Sequence, residues 1–424
     1  MIHDPLYLGI DLGTSKVALA LCDASGQGVF HDSRPHMADL PGPVDAAEQD
    51  AGIVLETAFQ LIAALPPELI QRLAAIGLTG QMHGVVQHDT EALPLAPMVT
   101  WRDARGTDLP INGRPVSPGC GWNTLDRWAR SGELTAPRCA TIHGLLAARL
   151  CQLDRAPIDP TDLHAWGGDE PPSSVPTSIL PKVVGHGAII GRTECAPGLP
   201  DGLPVAAPLG DNQASVRGTL KDLDAEAAFT IGTGCQLSIP VPRGHPLPEA
   251  GDRWELRPFD DERDLLVAAP RNGGLVWQWL AGRVRQWASE LGGPELSMDA
   301  AYALLDRLGA SAQQEGLRFV PHLIGEAWDP ELSGRLSGLR PGNGSLGQIA
   351  RAVAHSIAAN ARDALPPGSL AGRQTLRASG NALRLSSLLR RESAAALGHS
   401  LELSQFAEEA ALGAARIARN STIP

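Results

Sequence analysis

Five short stretches of this chain place chemically useful side chains at turn-like positions. In "YLGIDLGTSKVALALCD", Asp11, Gly13, Thr14, Ser15 and Lys16 separate two apolar runs. A strand–turn–strand of type D-x-G-T-[ST] directs consecutive backbone N–H groups outward into an anion-binding concavity, where glycine permits close approach and the hydroxyls add donors. Lys16 adds a cation. Asp11 suits an anion site only if a divalent cation lies between it and a phosphate. Magnesium takes one or two carboxylates plus phosphate oxygens in this way. The plain alternative is an ordinary hairpin rich in turn-forming residues. A second turn of the same kind, Gly232-Thr233-Gly234 in "AEAAFTIGTGCQLSIPVP", favours the phosphate reading.

The other three stretches supply acceptor-side chemistry. "PVAAPLGDNQASVRG" runs a strand into Gly210-Asp211-Asn212-Gln213, a carboxylate at a strand end beside glycine with amides suited to a sugar hydroxyl. Asp211 would equally serve as the N-cap of a helix over 212–219. Gln81 and His83, in "LTGQMHGVVQHD", offer neutral donors and acceptors suited to polyol recognition. Trp101, Asp103 and Arg105 alternate along "MVTWRDARG", so an extended segment would present an aromatic platform and a charged pair on one face. A loop salt bridge is the alternative there.

The elements that must position these residues follow from periodicity. Residues 6–12, 16–22 and 27–33 read as an antiparallel meander, 46–65 as a helix stopped by Pro66-Pro67, and 74–78 as another strand. After Lys221 a strand, Gly-Thr-Gly turn and strand recur. Residues 298–309, 346–364 and 382–397 read as helices, and 376–379 as a strand. We expect a mixed α/β architecture duplicated in two lobes, 1–222 and 223–424, with a cleft whose two turns clamp a triphosphate. Proline-rich residues 156–208 read as an irregular excursion from the first lobe.

Composition narrows the classes. The 424-residue chain has a formal net charge of −12, with Lys+Arg 35 against Asp+Glu 47. Such an acidic chain, without a basic run, excludes nucleic acid as an expected partner. Its six cysteines form no CxxC pair and read as reduced structural thiols. With no apolar run of membrane length and no basic-then-apolar start, neither a membrane partner nor a secretory leader is expected, and the cytoplasm is the default.

Taken in order, DLGTSK, TGQMHG, TWRDARG, LGDNQAS, TIGTG and LRASGNAL resemble the motifs of the FGGY carbohydrate kinases, over nearly the whole chain. That resemblance implies the duplicated ribonuclease H-like two-lobe fold shared by sugar kinases, actin and heat-shock chaperones. It implies a kinase that uses ATP and Mg²⁺, with Asp211 as catalytic base and Asp11 holding the metal. By the same likeness, Gly13, Thr14, Ser15, Lys16, Gly232, Thr233 and Gly234 meet the phosphates. Gln81, Met82, His83, Trp101, Asp103 and Asn212 line the sugar site, and Gly380 and Asn381 lie at the adenine and ribose. The stretches TGQMHGVV, VTWRDARG, GCGWNTLDRW and LHAWGG resemble the branch acting on a seven-carbon ketose. Another ketose or polyol kinase, or a nucleotide sensor without catalysis, are the alternatives, as a monomer or homodimer. Ala327 departs from the family, which commonly has an arginine there.

Overall fold

The computed structural model describes residues 4–111, 114–248, 253–313 and 316–422. By packing, the chain forms two units: residues 1–218 with 258–261 and 406–424, and residues 219–257 with 262–405.

The first unit is built on a seven-stranded sheet. Its strands are β1 (Leu6–Leu12), β2 (Lys16–Cys22), β3 (Gly28–Pro35), β4 (Leu73–Gly80), β5 (Ile189–Arg192), β6 (Pro204–Ala206) and β7 (Leu209–Gly210). The order is β5–β6–β4–β1–β2–β3, with β7 also beside β4. β1 and β2 are apolar at nearly every position because both faces are covered; β3 carries His31, Asp32 and Arg34 because it is the exposed edge. Helix α1 (Ala51–Ala63) begins later than the 46–65 periodicity predicts. The Asp50 carboxylate caps it by accepting from the Gly52 and Ile53 amides, and Glu48–Gln49 pair as a strand with Met98–Val99. The 156–208 stretch is more regular than expected. After α2 (Ile142–Cys151), it holds α3 (Pro160–Trp166), whose cap Asp159 accepts from the Thr161 and Asp162 amides, with Pro160 at the first helical position.

Register carries the functional consequence. β1 and β4 are parallel with Leu12 opposite Gly80, and β7 is parallel to β4 with Gly210 opposite Gly80. Leu12, Gly80 and Gly210 therefore form one row. Gly13, Gln81 and Asp211 are the next residues of three chains leaving the same edge. The carboxyl ends of parallel strands are where open α/β sheets bind ligands. Helix α4 (Asp211–Thr219) starts at the last of these.

The second unit repeats the plan. β8 (Glu226–Ile231), β9 (Cys235–Pro242), β10 (Glu255–Pro258), β11 (Arg263–Ala268), β12 (Thr375–Ser379) and β13 (Ser400–Leu403) lie in the order β10–β11–β9–β8–β12–β13. As in the first unit, a hairpin and third antiparallel strand are followed by a parallel partner of the opening strand, β12 against β8. Helices α5 (Gly274–Glu290), α6 (Met298–Ser311) and α7 (Leu346–Ala364) supply the apolar faces that bury this sheet. The helix expected over 382–397 is two, α8 (Asn381–Leu385) and α9 (Ser387–Leu397). They are split at Ser386, whose hydroxyl accepts from the Leu389 amide.

The last helix, α10 (Glu409–Asn420), packs on β1 and β4 of the first unit. A division at 222/223 follows the repeats along the chain; packing returns this helix to the opening unit. Its backbone lies directly on glycines: a Cβ on Gly9 would sit 1.8 Å from the Ala411 carbonyl oxygen, and one on Gly77 1.9 Å from that of Ala414. We expect Gly77→Ala to lower stability by about 2–3 kcal/mol, the scale of overpacking a close-packed contact, read as a fall in denaturation midpoint at unchanged m-value. Among the described residues, no helix is long and apolar enough to cross a membrane.

Candidate active site

In the first unit, the three adjoining strand ends bring together Asp11, Gln81, Met82 and Asp211. Asp11 Oδ1, Thr79 Oγ1 and Gln81 Oε1 are sealed from solvent and have no hydrogen-bond partner in the protein. Thr79 is opposite Asp11 in the β1–β4 register. Unsatisfied polar atoms at this density are rare in native interiors and mark a place where a ligand, ion or water completes the bonding. The Asp11 carboxyl is pushed up to about 7, by burial first and then by the like charges of Asp211 and Glu408. A divalent cation relieves that repulsion and supplies the partner Oδ1 lacks, so the donor set fits Mg²⁺. Among the described residues no three His, Cys, Asp or Glu side chains cluster as a metal cage. Asp11 would leave most coordination to water and phosphate, as Mg²⁺ prefers.

The acceptor-side residues differ in how the structure employs them. Met82 packs against the turn before Asp211: a Cβ on Gly210 would come within 2.7 Å of its Cε. His83 takes a positive φ of 73°, and its Nδ1 donates to the Ala165 carbonyl at 2.7 Å. Ala165 belongs to the LHAWGG stretch. Trp101 is about half exposed, and its indole N–H donates to Thr14 Oγ1 at 3.0 Å.

Two expectations change. The Trp101–Arg105 segment turns instead of extending, the Asp103 amide donating to the Thr100 carbonyl. Asp103 is therefore buried, and its carboxylate is engaged by Arg105 Nε at 2.8 Å, Arg127 Nη1 at 3.1 Å and the Ala47 amide at 3.1 Å. It braces the loop and does not share a face with Trp101. Lys16 spends its charge on both oxygens of Glu408, at 2.6 and 2.7 Å, rather than standing over the turn formed by Gly13, Thr14 and Ser15. Asn212 is the second residue of α4, directly after Asp211.

The second unit gathers three of the other predicted residues, Gly232, Thr233 and Asn381, around a cavity of about 630 Å³ that Gly274, Tyr302 and Asp306 also line. That is the size range of small-molecule sites. Gly380 brings Asn381 to it. It has φ +94°, and a Cβ there would lie 2.2 Å from the Ile231 carbonyl oxygen. Gly380→Ala should raise the nucleotide Kd at least about tenfold while the first unit's residues are untouched, as titration calorimetry would report.

Sequence reasoning missed the support beneath the second turn. Gly234 packs against the Pro270–Gly273 segment; a Cβ on Gly273 would lie 1.9 Å from the Gly234 carbonyl oxygen. That segment is held by Glu326, fully buried, which accepts from the Arg271 amide at 2.8 Å, Asn272 Nδ2 at 3.0 Å and Asn360 Nδ2 at 2.9 Å. The signal available was the place of Glu326 directly before Ala327, the position where the family commonly has an arginine.

Models of the "FGGY family of carbohydrate kinases" match residues 6–110 (N-terminal domain) and 228–420 (C-terminal domain). The chain belongs to the FGGY family of carbohydrate kinases. This FGGY kinase is 28% identical to the sedoheptulokinase of Homo sapiens over 98% of each chain. It is 27% identical to the glycerol kinase of Gloeobacter violaceus, over 90% of this chain and 82% of that one. Among solved structures, the xylulose kinase of Rhodospirillum rubrum superposes with a TM-score of 0.80 at 21% identity, over 97% of this chain and 89% of that one. The Plasmodium falciparum glycerol kinase with ADP superposes with a TM-score of 0.77 at 17% identity, over 99% and 90%. These likenesses establish the two-lobe sugar-kinase fold.

Proposed function

We propose that this FGGY kinase transfers the γ-phosphoryl group of ATP to the terminal primary hydroxyl of a ketose, sedoheptulose foremost, giving sedoheptulose 7-phosphate. The carrying observation is the carboxylate pair, Asp11 and Asp211, on adjoining strand ends beside Gln81 and Met82. The end-to-end similarity to sedoheptulokinase supports the choice of sugar.

Phosphoryl transfer passes through a loose transition state, so the protein's work is alignment and charge stabilisation. Asp211 accepts a hydrogen bond from the sugar hydroxyl, aims it, and takes its proton late, as charge develops on the attacking oxygen. Asp11 would hold Mg²⁺, which neutralises phosphate charge when bound. In the first unit, the amides and hydroxyls of Gly13, Thr14 and Ser15 are suited to phosphate oxygens; in the second unit, those of Gly232, Thr233 and Gly234 are suited in the same way. Gly380 and Asn381 form the base and ribose end of the nucleotide cavity. Met82, His83, Trp101 and Asn212 complete the sugar wall.

A coupled ADP-release assay with Mg-ATP tests the reading on sedoheptulose, D-xylulose, D-ribulose, D-fructose and glycerol. We expect the highest kcat/KM on sedoheptulose. A preference for glycerol or a shorter ketose would retain the kinase and discard the seven-carbon acceptor.

A further inference from the structure

Gln49 is fully buried, and its carboxamide joins three segments of the first unit. Its Nε2 donates to the Thr14 carbonyl at 2.7 Å and to Asp39 Oδ1 at 2.7 Å. Its Oε1 accepts from Gln81 Nε2 at 2.8 Å. A carbonyl and a carboxylate can only accept, so they fix which end of the Gln49 amide faces them. Turning the amide over would set its oxygen against two oxygens. Asp39 is held ionised, its carboxyl lowered chiefly by the Gln49 hydrogen bond.

The constraint propagates one residue further. With Gln49 Oε1 facing it, Gln81 must present its NH₂, which leaves Gln81 Oε1 as the outward acceptor. That oxygen is sealed from solvent and has no partner. A buried acceptor left unmatched is costly, so the position calls for a donor that arrives from elsewhere. The ring also closes on the sugar wall: Arg102 Nη2 donates to Asp39 Oδ1 at 2.7 Å, and Trp101 Nε1 to Thr14 Oγ1 at 3.0 Å.

We propose that Gln49 is a positioning residue that fixes Gln81 as a hydrogen-bond acceptor for one hydroxyl of the acceptor substrate and locks it to the backbone of the first phosphate turn. This rests on Gln81 belonging to the acceptor site, as in the function proposed above. The arrangement selects for a neutral hydroxyl donor: a carboxylate or carbonyl at that point of the substrate would meet oxygen with oxygen. Because one carboxamide holds both Gln81 and the Thr14 carbonyl, loss of Gln49 disturbs recognition and the phosphate turn together.

The test is a cycle of protein and substrate changes. Wild type and Gln49→Leu are compared on the best acceptor from the panel and on its singly deoxygenated analogues. For wild type we expect one analogue to lose about tenfold or more in kcat/KM, the hydroxyl that Gln81 receives. In Gln49→Leu the KM for the full acceptor should rise about tenfold, and the penalty for that one deoxygenation should shrink to within about twofold. Should Gln49→Leu fail to fold, the exposed partner answers the same question. Asp39→Ala removes one of the two acceptors that fix the Gln49 amide and should relax the same discrimination in part, whereas Asp39→Asn keeps an acceptor oxygen and should retain more of it. A penalty that stays unchanged in Gln49→Leu or Asp39→Ala overturns the inference, as does a wild type indifferent to every deoxygenation. The series runs on whichever alcohol the wild type phosphorylates, so failure of the ketose reading is visible in the wild type alone.

Discussion

Asp211→Asn should lower kcat by about three orders of magnitude, within the range general-base catalysis contributes. Asparagine keeps the size of the side chain and one acceptor oxygen but cannot take a proton. Substrate alignment therefore survives in part while the late proton transfer does not, and the KM for the sugar should change far less than kcat. Nucleotide affinity should stay within about twofold, because the residues lining the nucleotide-sized cavity belong to the other packing unit. Single-turnover measurement with Mg-ATP and the preferred ketose, beside calorimetry with a non-hydrolysable ATP analogue, separates the two quantities. A variant retaining a tenth or more of the wild-type kcat would remove Asp211 from the role of base. The helix-start alternative noted in the sequence predicts a different pattern. There the loss would be in thermal stability, with activity returning when the variant is assayed well below its melting point.

How much of this was legible beforehand depends on how local the determining physics is. The opening meander could be read within two residues because β1 and β2 are continuous apolar runs broken by a glycine-bearing turn, a local signal. The duplication was legible for the same reason, since strand, Gly-Thr turn and strand recur at Glu226–Pro242. Helix α3 was missed even though Asp159-Pro160 is a helix-start pair, because the surrounding prolines suggested irregularity. Asp103 shows the opposite limit. Alternation along Trp101–Arg105 has a local period, but Arg127, 24 residues away, helps engage the carboxylate and hold a turned loop. Lys16 was misjudged likewise, because Glu408 lies 392 residues on. Gln49 was invisible: a single amide carries no periodic mark, and its importance comes from partners on distant segments.

Asp11→Asn should separate activity from stability. Activity at saturating Mg-ATP should fall by roughly a hundredfold or more, because the remaining carboxylate, Asp211, cannot alone bind the ion and aim the sugar hydroxyl. Stability of the metal-free protein should move the other way with pH. The folded-state pKa of Asp11 is about 7, above the ordinary carboxylate value near 4 that it takes in the unfolded chain. Between those values the folded state binds the extra proton. The wild-type contribution to stability is therefore fullest below about pH 4 and is lost as pH rises through about 7. Asparagine is neutral throughout and escapes this loss. In chelator, melting curves at about pH 5 and about pH 8 should show the wild type losing more stability across the interval than Asp11→Asn. Adding Mg²⁺ at the higher pH should restore the wild type, since an ion that binds only the folded state raises its melting temperature, and should leave the variant unmoved. Equal pH dependence in the two proteins would show that the buried oxygen finds its partner in water. An equal response to Mg²⁺ would place the ion elsewhere and return Asp11 to the status of a turn residue.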